Sequence, residues 1–323
     1  MRTDLSEVLP LRTPFSLHVF PSYYCNFKCT YCLHNLSAEA LRERRFERQL
    51  MDFGMYEKAI DGLKEFPDKL KAIIFAGHGE PLVHPQIREM VKFADGVADR
   101  TEIVTNGSLL SMGMSEGLIA AGLGVLRVSI QAVTDEGYER GTGRKVSIAD
   151  LIGCLRYFYE RRGNTKVHVK IIDMGLSLED IHRFYNMFIP ISDQASVEYV
   201  IPFINEIPLA NDKGKTKHGG PESESKICSM PFYMVALEPN GDLVPCCSSV
   251  VPYCYGNVRK ESIKQMWDSQ ERNRFLLMQL VDLSQNRVCG ACSVPRYGLQ
   301  EGDYLDDDRG RLIKVYGEER CPS

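Results

Sequence analysis

The sequence predicts an α/β fold, a partial (β/α)6 TIM-like barrel followed by a small C-terminal domain. Three observations predict it. From residue 15 to about residue 202, short β-rich runs alternate with helical patterns about six times, the signature of a parallel sheet or barrel. Residues 204–226 then break the pattern with a polar, Gly- and Pro-containing stretch of no periodicity. Beyond it the chain resumes with a hairpin and a second group of cysteines. A closed eight-unit barrel takes roughly 250 residues, so the first span fits an open, partial barrel.

In chain order, strands are expected at 15–20, 71–75, 101–105, 125–130, 166–172 and 196–201. After Ser147, with Asp150 three residues on as a capping-box variant, Ile148, Leu151, Ile152, Leu155 and Phe158 recur at helical spacing. Gly163 is placed to end that helix. A second clear helix starts after Ser177 and carries Ile181, Phe184, Tyr185 and Phe188. Residues 204–227 read as an exposed linker or cover. Pro231–Cys246 reads as a hairpin, with the apolar run FYMVAL, a turn at Pro239-Asn240-Gly241, then Leu243 and Val244. The expected division is therefore 1–203, 204–227 and 228–323.

The composition is that of an ordinary globular chain, with 44% apolar and 25% charged residues. A net charge of −4 leaves no electrostatic footprint for nucleic acid or an anionic membrane. The N-terminal stretch MRTDLSEVLPLRTP lacks the apolar core of a signal peptide, and no run spans a bilayer. The expected location is the cytoplasm.

Eleven cysteines are many for such a compartment, and they cluster: three between residues 25 and 32, six between 228 and 292. Clustering points to metal or redox chemistry. Cys25-x3-Cys29-x2-Cys32 follows the first strand directly, at the carboxyl edge where active sites of this architecture sit. Three thiolates can hold three irons of a [4Fe–4S] cube and leave the fourth open to a chelating cosubstrate. The bland alternative is a zinc knuckle completed by His34.

The segment CNFKCTYC, with aromatic Tyr31 before the third cysteine, resembles the signature of the radical S-adenosylmethionine (SAM) superfamily. The resemblance implies that SAM's amino and carboxylate groups chelate the open iron. One electron then cleaves SAM to a 5′-deoxyadenosyl radical that abstracts a substrate hydrogen. Gly77-His78-Gly79-Glu80-Pro81 is similar to the family's Gly-Gly-Glu motif for the SAM amino group, with His78 as the departure. Asn106, in Thr105-Asn106-Gly107, follows the third strand, and Ser129 and Gln131 end the fourth, where the family contacts the ribose or the methionyl carboxylate. Alone, each such turn is ordinary turn chemistry. In order, each after a strand, they reinforce one another.

Cys228, Gly241, Cys246, Cys289 and Cys292, with Gly256-Asn257-Val258 and Ser262–Trp267, resemble the auxiliary-cluster domain behind many radical SAM cores. The shortened form, Twitch, carries one cluster; the longer SPASM form carries two. After Cys292 only Cys321 remains, too few thiolates for a second auxiliary cluster. The implied cofactors are SAM and two [4Fe–4S] clusters, one SAM-binding and one auxiliary. The implied reductant is a flavodoxin or ferredoxin. Spacing alone equally permits a structural four-thiolate zinc site.

Among the other cysteines, Cys154 reads as helix packing, and Cys247 should point away from its ligand neighbour. Cys321 lies in a tail. Cys254, in the loop SSVVPYCYGN, is the candidate hydrogen-atom donor. The expected substrate is a small polar metabolite (a sugar, aminocyclitol or amino-acid derivative) oxidised through the auxiliary cluster. Lys170 and Asp173 could hold it or take its proton, or be plain salt partners. Epimerisation through Cys254 is the runner-up. Peptide modification is a further alternative, although 24 residues before Cys25 are too few for a leader-recognition module. A zinc- or iron–sulfur-containing electron-transfer or interaction protein would explain the cysteines but not Gly77–Pro81.

Overall fold

The computed structural model describes residues 4–44, 46, 48–202, 207, 214–300 and 302–318. Six parallel strands occupy the predicted places: β1 Ser16–Val19, β2 Ala72–Phe75, β3 Thr101–Thr105, β4 Val125–Ile130, β5 Lys166–Asp173 and β6 Gln194–Tyr199. β6 starts two residues earlier than its apolar run suggests. Asp193 sets this start, exchanging bonds with Val167: Asp193 N donates to the Val167 carbonyl at 2.8 Å, and Val167 N to Asp193 Oδ2 at 2.8 Å.

Alternate residues face opposite sides of each strand. Leu17, Val19, Ile73, Phe75, Ile103, Leu126, Val128, Val167 and Val169 face the helix layer and are buried. Tyr56 of α1 (Phe53–Asp61), Met90 of α2 (Ile87–Ala94) and Leu118 of α3 (Met112–Ala120) meet them, as do Leu155 and Phe158 of α4 (Ile148–Arg161) and Phe184 of α5 (Leu178–Phe188). The Ser147 hydroxyl caps α4 by accepting from Asp150 N, while the full reciprocal box forms at Ser177 and Asp180. Gly163, at φ +55°, follows the end of α4 as expected.

The predicted hairpin is shorter than its apolar run. Pro231 sits in the first turn of a short helix, Met230–Tyr233, a position that suits proline. Strands β7 Met234–Leu237 and β8 Asp242–Val244 follow, with β9 Gly256–Asn257 beyond. The hairpin does not form a sheet of its own. β7 pairs parallel with β1, Ser16 opposite Met234 through Val19 opposite Leu237. One nine-stranded sheet results, in the order β6-β5-β4-β3-β2-β1-β7-β8-β9.

Residues 203–206 and 208–213 of the expected linker, and Cys321, lie outside the described residues. From residue 214 the chain is docked. Tyr199 N donates to the Lys217 carbonyl and Lys217 N to the Tyr297 carbonyl, both at 2.9 Å, and Lys226 N donates to Asp306 Oδ1 at 2.9 Å. A second apolar cluster joins Leu5, Leu9, Ile227 and Phe232 to Leu276 and Leu280 of α6 (Gln270–Asp282) and to Leu312 and Tyr316 of α7 (Arg309–Glu318). Among the described residues, no helix is long and apolar enough to cross a membrane.

Candidate active site

The loop after β1 carries Cys25, Cys29 and Cys32. It is pinned by Lys28 N to the Thr142 carbonyl at 2.9 Å and Thr30 N to the Gly141 carbonyl at 3.0 Å. Cys32 N donates to the Cys29 carbonyl at 2.9 Å, which closes a tight turn between those two thiols. Cys25 Sγ accepts from Phe27 N at 3.4 Å and from Asn106 Nδ2 at 4.0 Å. Burial pushes the Cys25 thiol up to about 12 and raises Cys29 and Cys32 as well. Buried thiols that resist ionisation on their own are stabilised as thiolates by a bound cation. His34 is not a candidate fourth ligand: its Nε2 lies 2.5 Å from the His78 carbonyl.

The Gly77–Pro81 turn packs on this loop through its glycines. A Cβ on Gly79 would lie 2.2 Å from the Ser22 carbonyl oxygen and 2.6 Å from that of Tyr24. Gly77, at φ +105°, meets the Phe20 ring. His78 is wedged between the rings of Phe20 and Phe46, 5.0 and 4.7 Å away, and burial lowers it to about 4, so it is neutral. Glu80 is fully engaged within the protein. It accepts from Thr105 Oγ1 at 2.6 Å, Asn106 N at 2.7 Å and Leu82 N at 2.9 Å, tying the end of β2 to the end of β3. Asn106 in turn reaches Asn26 Oδ1 at 2.9 Å. At the end of β4, the Tyr31 hydroxyl donates to Gln131 Oε1 at 2.6 Å, and Gln131 Nε2 donates to the Ser129 carbonyl at 2.9 Å.

The strand face opposite the helices is charged, which sequence reading missed apart from Lys170. Arg127 Nε donates to Glu102 Oε2 at 2.7 Å, and its Nη1 lies 3.0 Å from His168 Nδ1. Lys170 Nζ donates to Glu198 Oε2 at 2.7 Å, with Lys217 3.5 Å from the same oxygen. Lys170 stands in register with Ser129. The signal lay in the strands themselves: VLRVSI, KVHVKIID and QASVEY place polar residues at alternate positions, and TEIVT adds Glu102 to the same face. Asp173, by contrast, belongs to the helix-facing row and accepts from Gly175 N and Leu176 N at 2.9 and 3.0 Å, so it holds a turn.

Cys228, Cys246, Cys289 and Cys292 line one cavity of about 60 Å³. Among the described residues no three His, Cys, Asp or Glu side chains gather closely enough for a single metal ion; these thiols surround a space rather than converge on a point. Cys247 also borders the cavity, but its Sγ lies 3.4 Å from His18 Nδ1, and His18 is on the barrel's inner face. Cys254 lines a separate groove with Tyr23, Glu238 and Asp242, and that groove holds none of Ser129, Gln131 and Lys170.

The family model of the radical SAM superfamily matches residues 19–188. The chain belongs to the radical SAM superfamily. The model of SPASM, an iron–sulfur cluster-binding domain, matches residues 228–293. The cofactors of this radical SAM enzyme are therefore SAM and [4Fe–4S] clusters. It is 25% identical over 292 residues to the tungsten-containing aldehyde ferredoxin oxidoreductase cofactor-modifying protein of Pyrococcus furiosus, covering 78% of this chain and 80% of that one. To the AdoMet-dependent heme synthase of Methanosarcina barkeri it is 22% identical over 340 residues, covering 88% and 92%. Among solved structures, BtrN in complex with AdoMet and 2-DOIA superposes with a TM-score of 0.57 at 16% identity, over 90% of this chain and 97% of that one. SuiB of Streptococcus suis bound to its precursor peptide SuiA superposes at 0.61 and 18%, over 82% and 67%.

The donor sets fit these cofactors. Three thiols lie on the loop at the carboxyl edge of the sheet and four line one cavity beside the hairpin, and thiolates are the ligands of such clusters. Around the second set, the Ser229 and Tyr255 hydroxyls are buried without any partner among the described residues. Buried polar groups left in that state are rare unless an absent group completes them.

Proposed function

We propose that this radical SAM enzyme oxidises a small polar substrate, a sugar, aminocyclitol or amino-acid derivative, inside the barrel and passes the electron to the auxiliary cluster. When bound, SAM and the cluster held by Cys25, Cys29 and Cys32 supply the 5′-deoxyadenosyl radical that takes the substrate hydrogen. Tyr31, Gly77, Gly79, Glu80, Pro81, Asn106, Ser129 and Gln131 form the SAM cradle. Glu80 acts there as the brace that holds the Asn106 backbone, and Tyr31 fixes Gln131. Cys228, Cys246, Cys289 and Cys292 hold the auxiliary cluster.

The observation that carries the reading is the Lys170–Glu198–Lys217 triad on the barrel's inner face, beside Ser129. Two ammonium groups share one carboxylate, so one of them can turn to a substrate oxygen while Glu198 holds the other. The docked segment after residue 214 ties Lys217 to the end of β6 through the Tyr199 N bond to the Lys217 carbonyl. A flavodoxin or ferredoxin in the cytoplasm is the proposed reductant.

Metal analysis after anaerobic reconstitution tests this. About eight irons per chain with matching sulfide, together with 5′-deoxyadenosine formation under reductant, is the expected result. About four irons and one zinc would remove the electron sink and overturn the oxidative reading. Lys170→Met should lower substrate turnover at least tenfold in a comparison of metabolites from cells carrying either form, while substrate-independent SAM cleavage persists.

A further inference from the structure

Gln279 of α6 and Tyr255, just before β9, are both buried in the C-terminal part of the chain. Gln279 lines their cavity, and its Nε2 donates to Cys289 Sγ at 3.2 Å. The Tyr255 hydroxyl is buried with no hydrogen-bond partner among the described residues, and it lies within electrostatic reach of Arg272, Cys246 and Cys289. Its ring is fixed edge-on to Phe275, 6.1 Å between centroids, and Phe275 lines the same cavity. A phenol in such a place is costly unless its proton meets an acceptor. Of its electrostatic neighbours, a guanidinium such as that of Arg272 accepts no hydrogen bond, whereas the cysteine sulfurs can.

We propose that Gln279 and Tyr255 set the reduction potential of the auxiliary cluster by donating hydrogen bonds to its sulfur atoms. This rests on the reading above, that the four thiolates hold a cluster that accepts the substrate's electron. Reduction adds one negative charge to the cluster. Donors aimed at sulfur stabilise that charge and raise the potential. A higher potential would favour electron transfer from a substrate radical to a cluster held by these thiols, with loss of the radical's proton to give the oxidised product. Gln279 and Tyr255 touch no substrate; they act through the cluster's sulfurs.

The test is an EPR-monitored redox titration of the holoenzyme. Two signals are expected, and the one perturbed by added SAM is assigned to the Cys25, Cys29 and Cys32 cluster. Tyr255→Phe removes only a hydroxyl, and Gln279→Leu removes only the amide. In each variant the auxiliary midpoint should fall, leaving the reduced-to-oxidised ratio of the auxiliary cluster about tenfold lower at the wild-type midpoint, a shift of about 59 mV for one electron. The SAM-responsive midpoint should not move. An unchanged auxiliary midpoint in both variants overturns the inference. Absence of any second signal in the wild type overturns instead the two-cluster reading on which it rests.

Discussion

Glu80 occupies the place where a SAM ligand is expected, yet its carboxylate is spent on three protein donors, Thr105, Asn106 and Leu82. A buried carboxylate in this position is worth most as a brace, because two of its donors are backbone N–H groups. Glu80→Ala would strand all three and cost about 3 kcal/mol, near the upper end for single substitutions. The expected outcome is a lower melting temperature of the holoenzyme and weaker SAM binding, since Asn106 loses its anchor. A variant that melts like the wild type but fails to bind SAM would return Glu80 to a purely ligand-binding role. Gly79 works by a different route. Any Cβ there collides with the Ser22 and Tyr24 carbonyls, so Gly79→Ala should part the two loops and lower iron retention at Cys25, Cys29 and Cys32 while sparing the other four thiols. Iron counts on the reconstituted variant check this.

At the scale of elements, the thiol loop and the β7–β8 hairpin are joined by a short bond, the Tyr23 hydroxyl donating to Glu238 Oε2 at 2.5 Å. Burial raises Glu238 to about 7, and the Tyr23 bond only partly opposes it. The folded pKa therefore lies above the unfolded value near 4.5. Glu238 favours the folded state fully below about pH 4.5, and this is lost as pH rises through 7. Relative to Glu238→Gln, which keeps an acceptor for Tyr23 without the charge, the wild type should lose up to about 3 kcal/mol between pH 5 and pH 8. Denaturant titrations of both proteins at the two pH values measure it; parallel pH dependences would refute it. Tyr23 and Glu238 are 215 positions apart in the chain, and nothing local in either segment announces the pairing. Local signals did announce the strands, the Ser147 and Ser177 caps and the two thiol sets, because periodicity, capping and ligand spacing act within a few residues. The inner-face charges sit between these cases. Their alternation was visible strand by strand, but only register brings Arg127 to Glu102 and Lys170 to Glu198.

For the whole molecule, the decisive contact is β1 with β7. A barrel of six strands would leave β1 as an open edge beside the thiol loop. Here β7 satisfies that edge over four residue pairs, and Phe20, Met234, Ala236 and Val244 bury a cluster on the inner face. The segment carrying the second thiol set is thereby built into the sheet that carries the first. Sequence reading predicted a partial barrel followed by a small C-terminal domain but not the join between them, because pairing between strands some 218 positions apart (Ser16 with Met234) leaves no local trace. A chain cut after residue 203 should then not behave as a free-standing SAM-binding core. It would expose the β1 edge, the Phe20 side chain and the inner face that Cys247 and Lys217 cover, a combination that favours edge-to-edge association. The expected outcome is aggregated protein with little iron, against a soluble full chain prepared in the same way. A soluble monomer of residues 1–203 that binds about four irons and cleaves SAM would show instead that β7 merely leans on a finished barrel. Sedimentation and iron analysis of the two proteins side by side separate these outcomes, and the first would make the distance between the two clusters a fixed property of the sheet.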